Sequence, residues 1–173
     1  MKFWVGVTDN TWLNFLSARG LNEATFFCQT SATPPFLNAP IGMPFPFKLK
    51  RPNIHIAGEG FFVTYTSFPV SLAWEIFGEK NGAATLDDLR SMLDPLSKHR
   101  ELVDTIGCTV LANPFFFSQD RWIADPPGWA GSIVRGKAYH SLNNQPLSVL
   151  PDLPAHRQDP DRLGWHYKNR FQA

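Results

Sequence analysis

The chain has 173 residues, a length at which one domain with a sizeable hydrophobic core is expected. Its formal net charge is +1, which excludes a globally basic protein, so a polyanionic partner would have to be met by a local patch. Aromatic residues make up 14% of the chain and there are 15 prolines, which favours a β-containing core of short elements over a helical bundle.

The first part of the chain alternates between predicted strands and one helix. Apolar residues at 2–7 predict a strand, and 10–19 predicts a helix that is capped by Asp9 or Asn10 and ends at Gly20. Segments 23–30, 44–50 and 56–68 are predicted strands.

Two of these strands carry further signals. In 44–50, alternation places Phe45 and Phe47 on one face and Lys48 and Lys50 on the other. In 56–68, two glycines at the start of the strand indicate a bulge or a close approach of two backbones.

The second part of the chain begins with two predicted helices, one capped by Ser71 and one at 84–96, where Thr85 and Asp88 resemble a capping box. Strands are predicted at 105–117 and 132–140. Residues 140–173 are rich in Pro and Arg and are predicted as a linker remnant or a partly ordered extension, leaving 1–139 as the single domain.

The predicted strands come in consecutive groups and do not alternate regularly with helices. This order predicts an α+β fold. Its sheet would be mixed or antiparallel, would curl or close into a small barrel, and would be flanked by short helices.

The cysteines and the ends of the chain suggest an ordinary intracellular protein. Cys28 and Cys108 lie in separate apolar runs without metal-ligand spacing, so we expect two small buried side chains. Neither a signal peptide nor a membrane span is predicted, and a bacterial-type or phage-type cytoplasmic protein is expected.

The sequence contains no motif typical of catalysis or of a bound cofactor. HExxH, GxSxG, the phosphate-binding GxxxxGK[ST] and GxGxxG are all missing, and Asp87 and Asp88 are explained by the start of a helix. We therefore expect no enzyme, no catalytic residue, no cofactor and no metal.

The polar residues after the first strand allow two interpretations. Asp9 could accept a hydrogen bond from an exocyclic amine, Asn10 could pair with a base edge, and Trp12 could stack on a base, with Thr8 beside them. The same residues fit a capped helix with a buried Trp, and this stretch taken alone favours the cap.

Several basic and polar residues could contact phosphates, or could simply be solvated. Lys48, Lys50 and Arg51 come from one strand and its end, and Arg135 and Lys137 lie two residues apart on a late strand. Lys80 and Asn81 lie in a turn after Trp74, which could line a cleft or belong to the core.

A resemblance to a known family rests on the strings KFWVGVTDNTW, PFPFKLKRPNIHIAGEGFFVTYT, SLAWEIFGEKNG, IGCTVLANPFFF and IVRGKAY. Over about residues 1–139 the chain resembles the PUA-like superfamily, close to the EVE group. It looks like the reader domain found ahead of HNH nuclease domains in bacterial restriction-type proteins. Residues 140–173 hold no recognisable nuclease core, which departs from that arrangement.

The resemblance implies a reader of modified bases that takes the base out of the stack into an aromatic-lined pocket. By this resemblance the base pocket would be lined by Thr8, Asp9, Asn10 and Trp12, and further by Lys48 and Trp74. Asp9 would contact the Watson–Crick edge of the base. The phosphate contacts would come from Lys50, Arg51, Lys80, Asn81, Arg135 and Lys137.

The expected function is recognition of modified cytosine, such as 5-methylcytosine, in DNA by the specificity module of a modification-dependent restriction system. In relatives a nuclease domain or subunit would be the partner. The alternatives are an RNA-binding PUA-like module and a non-catalytic protein-interaction domain, and no membrane is expected.

Overall fold

The computed structural model describes residues 2–29, 36, 38–97, 105–124 and 128–140. Within them, the chain forms six strands, three α-helices and two short 3-10 helices. In chain order these are β1 (Lys2–Thr8), α1 (Asn10–Arg19), β2 (Glu23–Gln29), β3 (Pro44–Leu49), β4 (Ile56–Pro69), α2 (Val70–Phe77), a 3-10 helix (Gly78–Asn81), α3 (Leu86–Ser97), β5 (Thr105–Phe116), a 3-10 helix (Gln119–Arg121) and β6 (Gly136–His140).

The strands form one mixed sheet in the order β2-β5-β4-β3-β1-β6. β1 and β3 run parallel, and the other neighbouring pairs run antiparallel. The predicted α+β class with a mixed sheet and short helices is thereby confirmed. The sheet is open, with β2 and β6 at its two edges, so the barrel alternative is not realised in the described part of the chain.

One hydrophobic cluster joins α1 to the sheet. Trp12, Leu13 and Leu16 of α1 are buried together with Phe45 and Phe47 of β3. Burial of each large apolar side chain stabilises the fold by roughly 1.5–3 kcal/mol. This cluster holds α1 against the sheet.

A second cluster forms under α2. Ala73 and Phe77 of α2 are buried with Ile106, Cys108 and Val110 of β5, and Leu93 of α3 packs against them. Cys108 is buried in this cluster, as predicted, whereas the side chain of Cys28 lies outside the described residues.

Local signals placed the first and third helices correctly. The Asp9 carboxylate accepts a hydrogen bond from the Trp12 backbone N–H at 2.9 Å, and Gly20 ends α1 in the left-handed conformation with φ 60°. The Thr85 hydroxyl accepts from the Asp88 N–H at 3.1 Å at the start of α3. The predicted cap of α2 is wrong, because that helix begins at Val70 after Pro69 without a side-chain cap.

The glycines of β4 allow the backbones to approach closely, as predicted. A Cβ atom on Gly58 would lie 2.5 Å from the carbonyl oxygen of Phe115, which leaves no room for a side chain. The pairing register with β5 shifts between Glu59 and Phe61, which is the irregularity expected of a bulge.

The predicted domain boundary at residue 140 stays a prediction, because residues 141–173 lie outside the described part. β6 includes His140 and begins at Gly136, so it is shorter than the predicted strand 132–140. None of the helices in the described ranges has the length and apolar character needed to cross a membrane.

Candidate functional site

A cavity of about 900 Å³ opens beside the carboxyl ends of β1 and β3. Because these two strands are parallel, the residues that follow them meet at the same edge of the sheet. The Lys50 N–H donates to the Thr8 carbonyl at 2.9 Å and joins the two strand ends. The cavity is lined by Val7, Lys48, Leu49, Lys50, Arg51, Pro52, Ile54, Trp129, Gly131, Ile133 and Val134, and we call it the β1–β3 cavity.

Lys48 is a buried cation in the wall of the β1–β3 cavity. The residue is only 3% exposed, although the alternation of residues in β3 would also allow Lys48 to face solvent. Its ammonium lies 4.9 Å from the centre of the Trp129 ring, within the range of a cation–π interaction, and donates to the Leu49 carbonyl at 3.4 Å. Lys48 therefore holds an aromatic ring against the cavity.

The rim near the end of β1 is basic. Lys50 lies 3.7 Å from the Asp9 carboxylate, and both side chains are about half exposed. An exposed pair of this kind contributes roughly 0–1 kcal/mol, so it leaves Lys50 available to an anionic ligand. Arg51 is exposed, and its guanidinium lies 3.3 Å from where a Cβ atom on Gly131 would be.

Arg135 and Lys137, which were also predicted to contact phosphates, lie just before β6 and at its start. This strand pairs with β1 on the side opposite β3. The Arg135 carbonyl accepts from the Val7 N–H at 3.0 Å, and the Arg135 residue is exposed. The Lys137 ammonium donates to the Gly128 carbonyl at 2.7 Å and lies 5.1 Å from the Tyr139 ring centre. The first contact holds Arg135 against β1, and the second holds Lys137 against the residue that precedes Trp129.

Trp12, which we predicted as a stacking residue, is part of the core. It is 2% exposed, its indole N–H donates to the Thr25 carbonyl at 3.1 Å, and its ring packs against Phe26 and Phe47. A Cβ atom on Gly82 would also overlap the Trp12 ring. The structure thus does not bring Trp12 to the β1–β3 cavity.

The other predicted pocket residues at the end of β1 are half-buried or buried. Thr8 is 6% exposed and Asp9 caps α1. Asn10 is the first residue of α1, and its side-chain oxygen is buried without a hydrogen-bond partner among the described residues.

The remaining candidates lie away from the cavity. Trp74 is on α2, half-buried, and does not line the cavity. Lys80 pairs with the buried Glu23 at 3.1 Å. Asn81 is fully buried and donates to the carbonyls of Ala73 and Gly78 at 3.0 Å each, a contact that ties the turn to α2.

Sequence reasoning did not identify the residues of 128–134 as part of a site. Trp129 lies in a stretch with two prolines and two glycines, and a Trp in such a stretch is the signal that could have pointed to it. Glu59 was also missed: its carboxyl is fully buried with neither oxygen hydrogen-bonded in the described structure. Burial raises the pKa of Glu59 to about 8.

The described residues include no group of three His, Cys, Asp or Glu side chains that could hold a metal ion. The β1–β3 cavity offers cations to an anionic ligand and an aromatic ring to a flat one. The absence of catalysis stays a prediction.

No family model matches the chain, and no curated protein matches it. Among solved structures, a mutant form of ASCH from Zymomonas mobilis is similar at 13% identity with a TM-score of 0.47, covering 69% of this chain and 78% of that one. The ASCH protein of the same organism follows at 12% identity and 0.45, covering 68% and 73%. At these values the likeness bears on neither function nor site residues. Placement close to the EVE group and the HNH-associated readers stays a prediction.

Proposed function

We propose that this domain binds nucleic acid at the β1–β3 cavity. The observation that carries the proposal is the convergence of Lys48, Lys50 and Arg51 with Trp129 around one cavity. None of the described residues that line the cavity is acidic. On a chain with a net charge of +1, this makes the cavity a local basic patch of the kind that a polyanion requires.

The exposed cations of the rim would contact phosphates. Lys50 and Arg51 line the cavity, and Arg135 follows the lining residue Val134, so the three could contact a sugar–phosphate backbone that passes the cavity. Such contacts are independent of sequence and supply affinity rather than specificity.

The interior of the cavity would receive a base. Its volume of about 900 Å³ lies within the roughly 300–1,000 Å³ typical of small-ligand sites. The Trp129 ring offers a surface for stacking, worth roughly 1–3 kcal/mol per base. Asp9 stands next to Lys50 at the edge, where it could accept a hydrogen bond from an exocyclic amine.

Within this function we propose that the ligand is a modified base in DNA, with modified cytosine first, taken out of the stack. The domain would then act as the specificity module of a modification-dependent restriction system. Trp129 takes the stacking role that the sequence assigned to Trp12 or Trp74. RNA binding through the same cavity is the alternative, with 2′-hydroxyl contacts deciding the preference.

The test is fluorescence-anisotropy binding at low salt with matched probes. The probes are DNA duplexes that contain cytosine, 5-methylcytosine, 5-hydroxymethylcytosine or N6-methyladenine, and an RNA of the same sequence. The proteins are the wild type, Arg51→Ala and Arg90→Ala. Arg90 is an exposed arginine on α3 that pairs with Asp87 at 3.2 Å and does not line the cavity, so its removal changes the net charge equally.

We expect Arg51→Ala to weaken binding to every probe by about three- to tenfold, because a phosphate contact is lost, and Arg90→Ala to leave binding unchanged. Tighter binding to one modified duplex, reduced in a fourth protein, Asp9→Ala, would support base reading. Equal effects of the two arginine variants would contradict binding at this cavity. Preference for the RNA probe would favour the alternative.

A further inference from the structure

Val134 is an apolar side chain held out in solvent at the mouth of the β1–β3 cavity. The residue is 73% exposed, whereas Ile54 and Leu72, the other exposed large hydrophobic residues of the described part, are 37% and 38% exposed. Val134 also lines the cavity, so this exposed group borders the basic site.

The backbone on both sides of Val134 is hydrogen-bonded. The Ile133 N–H donates to the Ala130 carbonyl at 3.0 Å and closes a turn. On the other side, the Arg135 carbonyl accepts from the Val7 N–H at 3.0 Å and ties the segment to β1. A β-branched side chain has few rotamers, so Val134 is a stiff projection that loses little entropy when it enters a ligand.

The surroundings of Val134 favour a nucleic acid as the occupant of this surface. Arg135 follows it directly, and Lys50 and Arg51 line the same cavity. An apolar tip that shares its surface with cations matches a duplex, in which the flat apolar faces of the bases are stacked between two lines of phosphates. Proteins that distort duplexes insert apolar side chains between base steps in this way.

We propose that Val134 inserts into the base stack of a DNA duplex and fills the space of the base that has entered the β1–β3 cavity. The proposal rests on the proposed function and adds to it the residue that opens the stack. Unstacking a step costs a few kcal/mol, and a side chain that occupies the gap offsets part of this cost.

The experiment compares Val134→Ala with Leu72→Ala, a control that removes an exposed apolar side chain on α2. Each protein is titrated with the duplex that the wild type binds most tightly, with the same duplex carrying a mismatch at the target base, and with the single strand. A 2-aminopurine next to the target base reports unstacking by its fluorescence.

We expect Val134→Ala to weaken binding to the fully paired duplex about tenfold and to abolish the fluorescence rise, because the gap is no longer filled. Binding to the single strand should stay within twofold of wild type, since no stack has to be opened there. Leu72→Ala should match the wild type on all probes, and Val134→Leu should retain duplex binding.

Unchanged duplex binding by Val134→Ala, or an equal loss of affinity for duplex and single strand, would overturn the insertion of Val134 and leave the proposed function standing. If the wild type bound none of the probes, both the proposed function and the insertion of Val134 would be overturned.

Discussion

Glu59 is a fully buried acid near the start of β4, between Gly58 and Gly60. Neither of its carboxyl oxygens has a hydrogen-bond partner among the described residues. Desolvation by burial raises the pKa of Glu59 from an ordinary 4.5 to about 8, so the folded protein holds this carboxyl protonated at neutral pH.

This protonation links stability to pH. Between pH 4.5 and pH 8 the folded state binds a proton that the unfolded chain releases, so the free energy of unfolding falls as pH rises through this window. Glu59→Gln, which cannot ionise, should flatten the profile and be more stable than wild type at pH 9 by on the order of a few kcal/mol. Urea denaturation at pH 5, 7 and 9 measures this difference. Parallel profiles for the two proteins would contradict the burial of an unpaired carboxyl.

The type of a residue indicated which interactions its side chain can make, but not whether that side chain is buried or exposed. The sequence shows that Trp12 could stack or pack, and the structure decides for packing, because its ring lies against Phe26 and Phe47. Conversely, Lys48 fits a solvated face by alternation alone, yet it is buried against Trp129. Burial depends on which distant segments cover a face, and a single sequence does not contain that information.

At the scale of elements, local signals were sufficient wherever the capping group and the helix are neighbours in sequence. Asp9 and Gly20 delimit α1, and Thr85 precedes α3 and caps it through the Asp88 N–H, as predicted. The start of α2 was missed because Pro69, held extended at φ −53° and ψ 144°, precedes the helix and places Ser71 inside it. Backbone restriction by proline therefore determined the boundary where a side-chain signal did not.

The cap of α1 can be separated from any role of Asp9 in binding. Asp9→Ala should lower the free energy of unfolding by about 1 kcal/mol, because the Trp12 N–H loses its acceptor. Asp9→Asn keeps an oxygen acceptor and should cost a few tenths of a kcal/mol. Urea denaturation of both variants measures the difference, and equal losses would show that the charge of Asp9, which faces Lys50, matters more than the cap.

At the scale of the whole molecule, the α+β class could be predicted, whereas the site could be predicted only in part. Lys48, Lys50 and Arg51 were candidates, but the segment 128–134 that completes the cavity was not. The β1–β3 cavity combines Val7, Lys48–Arg51 and Trp129–Val134, three segments that are far apart in sequence. They meet because β1 pairs in parallel with β3 and in antiparallel with β6. Periodicity predicts which residues share a face of one strand, whereas the order of strands in a sheet depends on the packing of the complete chain.

If the cations around the β1–β3 cavity bind a polyanion, the affinity for DNA depends on salt concentration, and the decisive measurement is this dependence in wild type and variants. Each phosphate contact contributes roughly 0.9 to the slope of log K against log salt concentration. The double variant Lys50→Ala/Arg51→Ala should therefore bind with a slope that is shallower than wild type by about 2, while Arg90→Ala keeps the wild-type slope. Equal slopes for the double variant and the wild type would place the phosphate contacts elsewhere and contradict binding of a polyanion at this cavity.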